Sequence, residues 1–246
     1  MQNQAELGLN KTGVKMSPMD ATEAVEGAMV YTNPPAGSED ALAENRIRYM
    51  RESDMVGTVP MPASLKGAFS ALQEKIMNGD HTFMDKLGER IAFERTGTRL
   101  YQALLSKYQG SDDQSGFPDF ETLERFCLEE KRHFEIACNV MEQIGGDFTA
   151  MTPSADVAGV AALGWVQAIN DPRINFKQSL EIILQAELVD NACWEVLIEL
   201  AEDVGLKSLS VDFQKCLDEE AVHLSTIKEW VRQFNINGKV EHIITQ

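Results

Sequence analysis

Two copies of one short motif give this sequence its clearest capacity for chemistry. The motif is Glu-x-x-His, formed by Glu130 with His133 and by Glu220 with His223. Residues three apart lie on the same face of an α-helix, so each pair can reach one point in space. Carboxylate and imidazole groups are metal ligands, and this mixture suits iron or manganese better than zinc or copper. A single motif of this kind usually marks a solvated ion pair, so its repetition is what indicates a metal site.

The motifs lie in two of four long helical patterns, at about 83–108, 120–144, 176–204 and 212–234. In each pattern apolar residues recur at alternating spacings of three and four, which is typical of the buried face of a helical bundle. A carboxylate interrupts each apolar face near its middle. Glu94 does so in the first pattern and Glu187 in the third, so that Glu followed by Glu-x-x-His occurs twice along the chain.

These six residues are predicted to meet at one level of the bundle core. Four carboxylates there cannot all stay ionised without compensation, because desolvation and mutual repulsion raise their pKa values or drive the helices apart. Two divalent cations would cancel four carboxylates, with the two histidines as neutral nitrogen ligands. We therefore expect a centre of two metal ions, held by the set that we call the six-residue cluster: Glu94, Glu130, His133, Glu187, Glu220 and His223.

The connections predict how the helices run. Short loops join the first helix to the second and the third to the fourth, which makes each pair antiparallel. The long connection at 145–175 has room for a helix of its own, from Ser154 to Ile169, and can return along a bundle about 40 Å long. No strand-like alternation of useful length is found. The predicted fold is thus an all-α four-helix bundle with one long crossover between helices 2 and 3.

The N-terminal part differs from the rest. Residues 1–62 contain several prolines and little periodicity, and are predicted to form a partly irregular arm with a short helix around Glu39 to Met50. The bundle domain is predicted to span residues 63–246 and to begin with a helix from Ala63 to Met77.

Composition excludes several classes of protein. The formal charge of -17 argues against a nucleic-acid partner and against docking on anionic lipid. No apolar run is long enough for a membrane span, and no secretory signal is seen, so a cytoplasmic location is expected. The four cysteines form no CxxC pair, which excludes a rubredoxin-type or zinc-ribbon site.

The motifs, over about residues 83–234, resemble those of the ferritin-like superfamily of di-iron and di-manganese carboxylate proteins, which includes rubrerythrins, bacterioferritins and di-iron oxygenases. The resemblance implies that Glu94 and Glu187 each serve one metal and that Glu130 and Glu220 bridge the two. It implies two iron ions as cofactor, with two manganese ions or a mixed pair as alternatives. The missing CxxC pairs exclude a full-length rubrerythrin.

Two further residues lie close to the expected centre. Asp190, one turn after Glu187, resembles an extra carboxylate of rubrerythrin-like sites; it is either a ligand, a partner of a histidine N–H, or a partly solvated side chain. Tyr101, two turns after Glu94, is a candidate catalytic residue that would donate an electron to an oxidised centre. The interpretation we prefer is that Tyr101 is a core tyrosine with a hydrogen-bonded hydroxyl.

The leading functional hypothesis is a di-iron oxidoreductase that reacts with dioxygen or hydrogen peroxide, as a peroxidase, ferroxidase or oxygenase, in defence against oxidative stress or in oxidation of an organic substrate. The alternatives are iron storage of the ferritin type, a manganese catalase-like enzyme, and a structural bundle without metal. The electron donor is unknown. A homodimer through the bundle faces or the N-terminal arm is one assembly compatible with the pattern.

Overall fold

A computed structural model describes residues 18–30, 38–54, 56–59, 81–112, 114 and 116–237. Within these residues the chain forms helices and no strand, which confirms the predicted all-α class. The chain divides into two compact units, residues 1–54 and 55–246. The first contains helices α1 and α2, and the second contains helices α3 to α7. Their bounds are Pro18–Val30 (α1), Glu39–Glu52 (α2), Thr82–Gln109 (α3), Phe120–Gln143 (α4), Pro153–Asn170 (α5), Phe176–Asp203 (α6) and Lys207–Asn237 (α7).

The first unit matches the prediction only in part. Helix α2 coincides with the short helix expected around Glu39, and its N-terminus is capped by the Ser38 hydroxyl, which accepts a hydrogen bond from the Ala41 N–H at 3.1 Å. Helix α1 was not predicted. The helix expected from Ala63 to Met77 and the domain boundary expected at 62/63 lie outside the described residues.

The four long helices of the second unit occur where the periodicity predicts them. The bounds of α3, α4 and α6 agree with the prediction to within one residue at each end. Helix α7 begins five residues earlier than expected. Its first turns are held to the core by Leu209 and Phe213, which are 6% and 0% exposed, and Leu206 just before it is also buried.

The packing of these helices sets their directions. Helix α3 contacts α4 and α6, and α7 also contacts α4 and α6. Helices α3 and α6 are antiparallel, because Arg90 near the start of α3 meets Asp190 in the second half of α6, while Tyr108 at the end of α3 meets Phe176 at the start of α6. Since short turns join α3 to α4 and α6 to α7, helices α4 and α6 run in the same direction. The connection between α4 and α6, which contains α5, brings the chain back along the bundle.

The first residues of helix α5 are hydrogen-bonded to α3. The Asp85 carboxylate accepts hydrogen bonds from the Ser154 N–H at 2.8 Å and from its hydroxyl at 2.7 Å. The Thr152 hydroxyl donates to the Asp85 carbonyl at 3.0 Å, and a Cβ at Gly88 would lie 2.5 Å from this hydroxyl oxygen. Gly88 therefore permits the close approach that places α5 against α3.

The apolar core consists of two clusters. One contains Leu87, Trp194 and Phe213, and the other contains Leu104 and Phe126. The polar level that carries the predicted metal centre lies between them along α3 and α6. Within the described part of the chain, no helix is both long and apolar enough to cross a bilayer.

Candidate metal centre

The structure brings all six residues of the six-residue cluster together in the core. One carboxylate comes from each of α3 and α6, and one Glu-x-x-His pair from each of α4 and α7. Every member is at most 2% exposed: Glu94 0%, Glu130 1%, His133 0%, Glu187 2%, Glu220 0% and His223 0%. The helical spacing predicted this convergence, because each residue replaces an apolar residue on a buried face.

The ligand atoms form two overlapping groups. Glu130, Glu187, Glu220 and His223 each offer an atom within 4.8 Å of the others, and so do Glu94, His133 and Glu220. The two groups share Glu220. The cluster thus has two adjacent positions, each with carboxylate oxygens and one imidazole nitrogen.

Both histidines direct Nδ1 into the cluster. His133 Nδ1 lies 2.5 Å from Glu220 Oε1 and 3.8 Å from Glu94 Oε2. His223 Nδ1 lies 3.1 Å from Glu220 Oε2 and 3.4 Å from Glu130 Oε1. These contacts leave Nε2 of each ring to face away from the centre.

Each Nε2 meets a glutamate of the opposite helix. His133 of α4 is 2.7 Å from Glu219 of α7, and His223 of α7 is 2.8 Å from Glu129 of α4. A carboxylate that accepts a hydrogen bond from the Nε2–H fixes the ring and favours the tautomer whose Nδ1 carries a lone pair for a metal. These two residues are not among the ligands predicted from the sequence. The signal was present, because both motifs are Glu-Glu-x-x-His.

These outer glutamates are themselves paired with arginines nearer the surface. Arg132 contacts the Glu219 carboxylate, and Arg125 Nη1 lies 3.3 Å from Glu129 Oε1. Burial raises the pKa of Glu129, but the hydrogen bond from His223 and the charges of His223 and Arg125 outweigh it and hold this pKa below its usual value. Glu129 is therefore an ionised acceptor for His223.

The inner carboxylates carry a large electrostatic cost. Burial, together with the charges of neighbouring carboxylates, raises the pKa of Glu94 and of Glu187 well above its usual value and also raises that of Glu130. Glu220 is the exception. Burial raises its pKa, but the two histidines more than offset this and lower it. Several like charges in one dry space require compensating positive charge.

Several of these atoms also lack a hydrogen-bond partner. They are both carboxylate oxygens of Glu94, Glu130 Oε2 and Glu187 Oε2, while Glu220 Oε1 and His133 Nδ1 have only each other, at 2.5 Å. Buried polar atoms are nearly always hydrogen-bonded, so a concentration of exceptions requires an explanation. A metal pair fits these residues, because it would satisfy the lone pairs and the surplus of negative charge together.

Gly97 makes room for one of the inner carboxylates. A Cβ at this position of α3 would lie 1.9 Å from Glu130 Oε2, far inside van der Waals contact. A glycine in a helix interior costs about 1 kcal/mol relative to alanine. The space at Gly97 is therefore occupied by the Glu130 carboxylate.

Tyr101 and Asp190 both lie against the cluster. The Tyr101 hydroxyl is buried and donates a hydrogen bond to Glu187 Oε1 at 2.5 Å. This matches the preferred interpretation of Tyr101 as a core tyrosine with a hydrogen-bonded hydroxyl. Asp190 is 2% exposed and pairs with Arg90, whose Nη1 lies 2.9 Å from Asp190 Oδ1. Arg90 was missed, because an Arg four residues before Glu94 on one helix has the spacing of an ordinary surface ion pair.

A scan against protein-family models and a search of curated proteins find no match to this chain. The chemistry of the buried residues is therefore the basis for a functional proposal.

Proposed function

We propose that this chain is a di-metal carboxylate protein of the ferritin-like type, whose centre holds two iron ions and acts as an oxidoreductase on dioxygen or hydrogen peroxide. One observation supports this most strongly. Six buried carboxylate and imidazole side chains, from four different helices, converge with several of their ligand atoms free of hydrogen bonds. Such a core is unfavourable as a purely structural element.

The arrangement of helices also supports the proposal. Helices α4 and α6 run in the same direction and are linked by a long segment, while their partners α3 and α7 run oppositely. One long crossover in a bundle, with a Glu from each of two helices and Glu-x-x-His from each of the others, is the layout of the ferritin-like di-metal proteins.

In the proposed centre, Glu94 and His133 would hold one metal, Glu187 and His223 would hold the other, and Glu130 and Glu220 would complete the ligand set. Bound iron would supply redox chemistry toward dioxygen or peroxide, with electrons from an external donor. The protein contributes position and environment.

The side chains around the centre have separate tasks. The Tyr101 hydroxyl holds one oxygen of Glu187, which leaves the unpartnered Glu187 Oε2 for the metal. Glu129 and Glu219 accept hydrogen bonds from the two Nε2–H groups and so orient the imidazoles. The apolar clusters on both sides exclude bulk water and strengthen each electrostatic interaction at the centre.

Anaerobic loading with Fe(II), followed by elemental analysis and exposure to air, tests the proposal. We expect about two iron ions per chain, with an ultraviolet–visible change on addition of dioxygen or peroxide. The double variant Glu130→Gln with Glu220→Gln should lose the bound iron. Glu135→Gln, which changes an exposed carboxylate of the helix that carries Glu130, should keep the bound iron. Wild-type protein that binds neither iron nor manganese would refute the proposal.

Manganese is the second candidate, since the same donor set suits it. Vigorous oxygen release from peroxide by the manganese-loaded protein would favour a catalase-like enzyme. A particle of hundreds of kilodaltons on gel filtration would favour iron storage. A double variant Glu130→Ala with Glu220→Ala that changes neither bound metal nor melting temperature would favour a structural bundle.

A further inference from the structure

The buried Arg90 side chain lies directly beside the proposed centre and has no part in binding the two metals. It is 1% exposed. Its Nε lies 3.2 Å from Glu94 Oε1, and its Nη1 lies 2.9 Å from Asp190 Oδ1 and donates to the Asp190 carbonyl oxygen at 3.0 Å. The guanidinium thus joins a carboxylate of the cluster to one outside it.

These two carboxylates belong to a third group of candidate ligands. Glu94, Glu130, Asp190 and Glu220 each offer an oxygen within 4.8 Å of the others, and all four are buried. This group contains no histidine. Glu94 Oε1 and Asp190 Oδ1 meet Arg90 as ion pairs without hydrogen-bond geometry, and Glu94 Oε2 accepts no hydrogen bond. Four such carboxylates, taken alone, are suited to a hard divalent cation with oxygen ligands.

Charge balance shows what Arg90 does there. The core holds five carboxylates, namely Glu94, Glu130, Glu187, Asp190 and Glu220. Two divalent cations leave one negative charge over when the histidines are neutral. The charge of Arg90 cancels it, so that the loaded centre becomes neutral in a region where net charge is costly.

The surroundings hold the guanidinium in this place. Its central carbon lies 4.5 Å from the centroid of the Phe93 ring and 5.4 Å from that of Trp194. Aromatic faces attract a cation, and the attraction is stronger where water is excluded. Arg90 is therefore a fixed part of the core.

We propose that Arg90 is a permanent cation of this centre, whose guanidinium pairs with Glu94 and Asp190 and limits the protein to two metal ions. The assignment rests on the proposed function. It makes the two metal positions unequal, because Arg90 pairs with Glu94 on one side while Tyr101 holds Glu187 on the other.

Titration with Mn²⁺ tests the assignment, with bound ions counted by elemental analysis and free ions by electron paramagnetic resonance. We expect about two ions per chain in the wild-type protein. Arg90→Met should bind Mn²⁺ beyond two ions per chain, because the centre loaded with two ions is then left with one uncompensated negative charge. Arg90→Met combined with Asp190→Asn should return to the wild-type count, since the surplus carboxylate is gone. Arg95→Met is the matched control, because Arg95 is an exposed arginine of the same helix.

If the wild-type protein and the Arg90→Met variant both bind two ions with the same affinity, the assignment is overturned and the proposed function is left intact. A wild-type protein that binds no metal refutes both. Asp190→Asn decides the question if Arg90→Met does not fold. With Asp190 neutral, Arg90 pairs with Glu94 alone and should weaken one of the two Mn²⁺ affinities at least about tenfold. Unchanged affinities in that variant would equally overturn the assignment.

Discussion

Gly97→Ala is expected to separate the stability of the protein from its ability to bind metal. A Cβ at Gly97 would lie 1.9 Å from Glu130 Oε2, whereas such contacts are essentially never below 3.0 Å, so the oxygen must move by about 1.1 Å or more. Metal–ligand distances tolerate only about ±0.2 Å. We therefore expect metal affinity to fall about 10- to 100-fold, which corresponds to about 1.4 to 2.7 kcal/mol.

The metal-free protein should respond in the opposite direction. Replacing a helix-interior glycine with alanine contributes about 1 kcal/mol of helix propensity, worth about 2–4 °C in melting temperature for a domain of this size. The end of the Glu130 side chain can rotate away, so this gain should largely survive. Thermal melts in chelator and Mn²⁺ titrations by calorimetry measure the two effects.

Gly159→Ala is the matched control. Gly159 lies inside α5, and a Cβ there would have nothing within 4 Å. This variant should show the same gain in helix propensity with wild-type metal affinity. If Gly97→Ala also kept wild-type affinity, the placement of Glu130 as a metal ligand would be refuted.

Three further outcomes are expected. Because most core carboxylates have folded pKa values above their unfolded ones, the metal-free protein should lose stability as pH rises above the usual carboxylate range, while metal-loaded protein should not; melting curves with chelator and with Mn²⁺ would show this. Glu129→Gln should weaken metal binding about 10- to 100-fold, since a neutral amide orients His223 less well, whereas Glu135→Gln should leave affinity unchanged in the same titration. Leu104→Ala should cost about 2–5 kcal/mol in urea unfolding, because this side chain is fully buried, and Leu188→Ala, at an exposed site of α6, about 0.5 kcal/mol or less.

Sequence alone predicted the fold class, the four long helices and the convergence of the cluster. The reason is physical. A bundle buries one face of each helix, so a charged residue on that face stands out against its apolar neighbours, and a shared level in four helices brings such residues together. Glu187 and His223 are examples, since each interrupts an otherwise apolar face.

Other features depend on contacts between helices that local spacing does not encode. The partnership of Arg90 with Asp190 crosses from α3 to α6, and that of His133 with Glu219 crosses from α4 to α7. On its own helix Arg90 has the spacing of a surface ion pair with Glu94. Its burial follows from the packing of α6 against α3.

The early start of α7 has a similar explanation. Leu206 and Leu209 continue the apolar pattern toward the turn after α6, and Gly205, at φ +80, adopts the left-handed conformation that ends the preceding helix. The sequence predicted that stop. The predicted start of α7 at about 212 left a longer connection than the structure has. A turn of only a few residues suffices between antiparallel helices, so α7 begins almost directly after α6.

The metal content of the purified protein tests the central proposal most directly. After anaerobic incubation with Fe(II) and removal of free ions, elemental analysis should find about two iron ions per wild-type chain. It should find none in the double variant Glu130→Gln with Glu220→Gln, whose substitutions keep the shape of both side chains. Wild-type protein without bound iron or manganese, or an equal metal content in the variant, would contradict a di-metal centre at the six-residue cluster.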